Sequence, residues 1–127
     1  MAYENLAGSA AVTMDATTGL AQYRLVVAGA SGAAYPTTGA PVAGVLVSSG
    51  TTASTASGQY CAVQTMGIAK VEAAGTTMSA GDPVVTDSSG RAAVAGAGDY
   101  RIGTVIDGSS GSTGRVLSVQ LQAVGTT

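Results

Sequence analysis

A chain of 127 residues makes one domain the default and leaves room for only a thin core. Hydrophobic residues reach 46%, much of it alanine with no Phe or Trp, while charged residues are 9% and the net charge is −2; this excludes the concentrated basic footprint of a nucleic-acid binder. No run approaches the roughly 20 apolar residues of a membrane helix, and MAYENLAGSA lacks the basic and apolar regions of a signal peptide, so the expectation is a soluble protein made in the cytoplasm.

Residues 1–19 show weak periodicity and no cluster of large apolar side chains. They are expected to form an extended arm ahead of a single β domain over 20–127, the alternative being a frayed terminus without a role. From residue 20 onward, Gly and Ser-Thr clusters break the chain every eight to twelve residues. Between them lie Val-rich runs at 20–28, 40–49, 59–74, 82–87, 100–107 and 115–124. In the last, Leu117, Val119 and Leu121 alternate with Ser118 and Gln120, the period-two pattern of a half-buried strand. Cys61 is the single cysteine and sits within such an alternation, so a buried thiol is expected and an intrachain disulfide is excluded. Residues 69–74 (AKVEAA) have helix-forming composition but are too few to nucleate a helix alone. Asp87-Ser88-Ser89-Gly90 supplies turn residues between two of the runs. Short, regularly spaced strands with turn signals predict an all-β sandwich or small barrel.

Two parts of the chain echo each other. RLVVAGA (24–30) is matched by RAAVAGA (91–97), and the segment 42–64 by 101–120, with Gly44 against Gly103 and Val63 against Val119. A possible internal repeat of 24–64 and 91–120 follows, with chance similarity in a Gly/Ala/Val-rich chain as the alternative.

Catalytic chemistry has little to work with. The absence of histidine removes the commonest general base and most zinc sites. Asp82, Asp87, Asp99 and Asp107 lie beside Gly, Pro or Ser, where aspartate accepts turn hydrogen bonds. DPVVTDSSG lacks the ligand spacing of a calcium loop, and GAGDYRIG lacks the Lys-Ser/Thr of a phosphate loop. The expectation is a non-enzyme with no catalytic residue, no metal and no cofactor.

An ordered series of short motifs carries a resemblance. Gly67–Val71 (G-I-A-x-V), Ala80–Val84 (A-G-D-x-V), Asp87–Ala92 (D-x-x-G-R-A), Ile102-Gly103 and the closing strand Val116–Leu121 follow in order, and V-A-G-V-L upstream fits as well. The chain thereby resembles the capsid decoration, or cement, proteins of tailed bacteriophages. The Ala-Gly-Asp-Pro step is similar to that of β-clip folds, so the resemblance implies a small sandwich or barrel of β-clip or β-tulip type. In it Gly81, Asp82, Pro83, Asp87, Gly90 and Arg91 shape structural turns. It further implies a virion protein on the outer capsid surface, as a homotrimer that clamps neighbouring major capsid protein subunits. Tyr3, Leu6, Val12 and Met14 are then expected as apolar anchors of a capsid-binding arm, with solvent exposure as the alternative, and Tyr35 and Pro36 as a subunit- or capsid-contact loop, with local packing as the alternative. Arg91 and Arg101 are expected to pair with Asp87 and Asp99 across turns or across subunits. The alternative is a carbohydrate- or surface-binding β module of a phage fibre or cell envelope.

Overall fold

The computed structural model describes residues 10–16, 19–30, 32–47, 54–55, 60–75, 77–108 and 113–126. Tyr3 and Leu6 therefore lie outside the described residues. Eleven strands and no helix occur among those described: β1 (Ala10–Asp15), β2 (Leu20–Ala21), β3 (Leu25–Gly29), β4 (Gly32–Ala34), β5 (Gly44–Val47), β6 (Ser54–Thr55), β7 (Tyr60–Glu72), β8 (Pro83–Thr86), β9 (Ala92–Val94), β10 (Tyr100–Asp107) and β11 (Val116–Thr126). Nine of them form one curled antiparallel sheet in the order β4-β3-β5-β7-β11-β10-β8-β9, with β1 also on β7; β2 and β6 form a separate ribbon. Residues 69–74, with their helix-forming composition, are the end of β7 and the bridge at Ala73 beyond it.

β7 joins the two halves of the sheet. Its first part holds β1 from Tyr60 to Met66 and β5 from Ala62 to Gln64. Its second part, Gly67 to Glu72, holds β11. The change of partner falls at Gly67, whose φ of 87° no other residue type adopts readily. The Gln64 side chain fills the corner and donates to the carbonyls of Met66 (3.1 Å) and Ile68 (2.9 Å).

The edges of β7 follow from its hydrogen bonds, since successive N–H groups of a strand point to opposite sides. The Glu72 N–H goes to Tyr23 O, and the Ala73 N–H goes to Arg115 O beside β11. Tyr23 in turn donates to Leu46 of β5. β5 thus lies on one edge and β11 on the other. β1 shares the β11 edge, because Val63 pairs with Leu46 and with Val12 at once. Residues 10–15 of the expected arm are therefore a strand of the sheet, where β7 satisfies their backbone polar groups.

Two apolar clusters fill the curl. One gathers Leu25, Val45, Val71, Met78, Val84, Ile102, Val105, Leu117 and Val119 with smaller neighbours. The other gathers Ala16, Leu20, Val26, Ala33, Leu46, Cys61 and Val63. With side chains this small, backbones must approach closely. A Cβ on Gly44 would collide with the carbonyl oxygen of Gln64, and one on Gly103 with that of Gln120.

Gly44→Ala and Gly103→Ala are each expected to destabilise by about 2–3 kcal/mol, because backbone must move to admit the methyl group. Gly81→Ala is the control: φ is 96° there but nothing lies within 4 Å, so only backbone strain of ~1 kcal/mol is expected. Urea denaturation midpoints check the ranking.

Candidate functional site

The outer face of β7 and β11 is built by simple alternation. Gly67, Ala69 and Val71 point inward with Leu117, Val119 and Leu121. The residues between them, Met66, Ile68 and Lys70 on β7 and Val116 and Gln120 on β11, are exposed. The register sets Ile68 opposite Gln120, Lys70 opposite Ser118 and Glu72 opposite Val116. Met66 is 50% exposed, Ile68 58% and Val116 46%, with Ile106 of β10 at 42%. These four are the large aliphatic groups that this face leaves in water. Lys70 stands among them, its ammonium 6.0 Å from the Tyr23 ring centroid.

One end of this face is fixed by an ion triad. Arg24 Nε donates to Glu72 Oε2 at 2.7 Å, and Arg91 Nε donates to Glu72 Oε1 at 3.1 Å. Arg24 also donates to the Ser89 carbonyl (2.9 Å) and its guanidinium lies 5.9 Å from the Tyr35 ring centroid. The triad thus joins β7, the chain before β3 and the turn after β8. Burial pushes the Glu72 carboxyl up, but hydrogen bonds and charge from Arg24 and Arg91 outweigh it. The carboxyl is held below its ordinary range.

The punctuated segment at 77–94 forms two tight turns. Asp82 Oδ2 accepts from the Ser79 N–H (2.9 Å), while Gly81 N–H and Asp82 O bond Val105 and extend the sheet. Pro83 opens β8 opposite Thr104. Asp87 Oδ1 accepts from the N–H groups of Ser89 (2.9 Å) and Arg91 (2.8 Å). Gly90, at φ 76°, then passes its carbonyl to the Leu25 N–H at 2.6 Å.

Other expectations meet a different arrangement. Arg91 meets Asp87 only through its backbone; its guanidinium turns to Glu72, the carboxylate already facing Arg24. Within the chain Arg101 does not pair with Asp99: its Nε is buried without a hydrogen-bond partner, and Asp99 instead accepts from Gly96 N–H. Tyr35 is engaged inside the chain, its hydroxyl accepting from Ala21 N–H at 2.8 Å, and Pro36 is buried. Val12 and Met14 belong to β1. Sequence reasoning passed over Met66, Ile68 and Glu72. The signal for the first two was present, since TMGIAKV is apolar on both faces of its alternation.

Comparison with known proteins gives two findings. The family model described as phage cement protein matches residues 7–121. Among solved structures, the head fiber gp8.5 N base of bacteriophage phi29 is similar, with a TM-score of 0.68 at 17% identity, over 90% of this chain and 94% of that chain. At that identity the likeness shows the fold alone. No curated protein matches the chain.

The triad makes stability depend on acid. The folded pKa of Glu72 lies below its unfolded value, so its contribution is complete above about pH 4.5 and is lost as pH falls through the folded pKa. Glu72→Gln is expected to lower stability by ~2 kcal/mol at neutral pH, where two arginines lose their counter-ion. It should also flatten the fall of melting temperature below about pH 4.5. Calorimetry of both proteins between neutral and acid pH reads the two effects together.

Proposed function

The chain belongs to the phage cement protein family, and from that premise we propose that it binds the outer surface of the expanded capsid and clamps neighbouring copies of the major capsid protein. Family membership across nearly the whole domain carries the reading. The exposed aliphatic face of β7, β10 and β11 supports it, because it offers contact area without a charge pattern that would require a charged ligand.

The work done is mass action. A ligand that binds only the expanded lattice stabilises that lattice by RT ln(1 + [L]/Kd), about 2.7 kcal/mol per site at a hundredfold excess over Kd. Contacts spread over adjacent coat subunits resist their separation when packaged DNA presses outward. Assembly as a homotrimer multiplies the contacts and adds avidity; the small core, with no Phe or Trp, is consistent with a fold that gains stability from partners.

The segment before Ala10 has a part in this proposal. The rungs of β7 from Gly67 onward on the β1 edge belong to β11, beginning with Leu121. A chain continuing back from Ala10, opposite Met66, finds that edge taken. Residues 2–9, with Tyr3 and Leu6, are proposed to reach the coat protein and add to one of its edges.

Purified protein mixed with undecorated shells, expanded or unexpanded, is expected to co-sediment saturably with the expanded ones only. Equal binding to both, or to neither, would overturn the clamp. Deleting residues 2–9 is expected to weaken co-sedimentation at least tenfold while leaving the circular dichroism melt unchanged. Unaltered binding would remove the arm from the account.

A further inference from the structure

The pairing of the sheet repeats itself, rung by rung. β1 meets the first part of β7 through Val12↔Val63, Met14↔Cys61 and Asp15↔Tyr60. The second part of β7 meets β11 through Ala69↔Val119, Val71↔Leu117 and Glu72↔Val116. β3 meets β5 at Leu25↔Val45 and Val26↔Gly44, as β8 meets β10 at Pro83↔Thr104 and Val84↔Gly103. β3 meets β4 at Val27↔Ala34 and Ala28↔Ala33, as β8 meets β9 at Val85↔Ala93 and Thr86↔Ala92. β5 meets β7 at Leu46↔Val63, as β10 meets β11 at Val105↔Val119.

Features outside the ladders repeat too. A parallel bridge joins Ala16 to Ala33, and another joins Ala73 to Ala92. Tyr23 N–H bonds Leu46 O as Gly81 N–H bonds Val105 O, and both residues have positive φ. Leu46 N–H bonds Arg24 O as Val105 N–H bonds Asp82 O. The close approach of Gly44 to Gln64 recurs between Gly103 and Gln120. Each member of the smaller apolar cluster has a counterpart in the larger: Ala16 with Ala73, Leu20 with Met78, Val26 with Val84, Ala33 with Ala92, Leu46 with Val105, Cys61 with Leu117 and Val63 with Val119. The pairing sets β3 against β8, not against residues 91–97 as the sequence echo has it.

We infer that the chain is two copies of one five-strand unit, residues 10–66 and 67–122, and that each copy presents the same contact to the capsid, so that one chain grips two equivalent sites on neighbouring coat subunits. The inference rests on the capsid-binding reading above and supplies its means of clamping. β7 runs antiparallel to the line formed by β11 and β1. A local twofold axis perpendicular to that ladder, between Gly67 and Leu121, exchanges the units and keeps matched residues on the same face of the sheet.

Val47 and Ile106 identify the contact. Each follows the matched buried pair Leu46 and Val105, Val47 on the rung to Ala62 and Ile106 in the bulge just before Asp107, which takes the equivalent rung to Ser118. They are 36% and 42% exposed. Where the copies face each other they have diverged: Leu25 and Val45 are buried in the larger cluster, while their counterparts Pro83 and Thr104 are half-buried. Arg24, which binds Glu72, has Asp82 as its counterpart. Residues at the junction are thus specialised. An aliphatic group kept exposed in both copies matches a partner that is itself repeated, which is what a lattice of identical coat subunits offers.

Val47→Glu and Ile106→Glu, singly and together, test this by co-sedimentation with expanded undecorated shells. Wild-type binding is established first; its absence would be a failure of the capsid-binding reading, not of bivalence. Each single variant is expected to lose about a hundredfold in apparent affinity, the avidity of one of two linked contacts. The double variant is expected to show no saturable binding. Thermal melts of all three should match wild type, since exposed positions are altered. One silent and one disabling substitution would overturn the inference in favour of a single contact, and two silent ones would overturn it altogether.

Discussion

One strand has to serve two halves of the sheet. β7 carries β1 and β5 along its first part and β11 along its second, and both apolar clusters take residues from it: Cys61 and Val63 in one, Ala69 and Val71 in the other. A strand this long bends only where its geometry allows, and Gly67 is that place. Glu72 then fixes its far end to Arg24 and Arg91, from the chain before β3 and the turn after β8. Bend and clamp together determine how the two halves meet.

The rest follows from small side chains. Burial stabilises by roughly 25 cal/mol per Å² of apolar surface, and alanine and valine supply little area each. The fold compensates with dense backbone pairing and close strand approach at Gly44 and Gly103. Its largest exposed aliphatic groups, Met66 and Ile68, remain on the outer face. A monomer that leaves such groups in water has an energetic reason to bind, and membership of the phage cement family indicates the kind of surface that would receive them.

Much of the architecture was legible in the sequence. The Val-rich runs at 40–49, 59–74, 82–87 and 100–107 contain β5, β7, β8 and β10, and those at 20–28 and 115–124 cover all but the last residues of β3 and β11. Strong alternation and glycine punctuation make such strands visible. β1, β4 and β9 escaped notice because sequences such as GAA and AAV bury little and lack contrast between faces. Their pairing is decided by neighbouring strands, which no local pattern encodes. Glu72 was equally hidden. Its partners lie 48 and 19 residues away, whereas the eye pairs Arg91 with the nearby Asp87. The identity RLVVAGA/RAAVAGA misled for a related reason: it matches letters across β3 and β9, which occupy different places in the sheet. The Gly44/Gly103 and Val63/Val119 matches coincide with shared geometry because close packing demands those residue types.

Cryo-electron microscopy of expanded shells incubated with the purified protein bears most directly on the central claim. The account predicts added density on the outer surface, each chain touching two neighbouring coat subunits through the strand ends that carry Val47 and Ile106. Shells without added density, or chains seated on a single coat subunit, would contradict it.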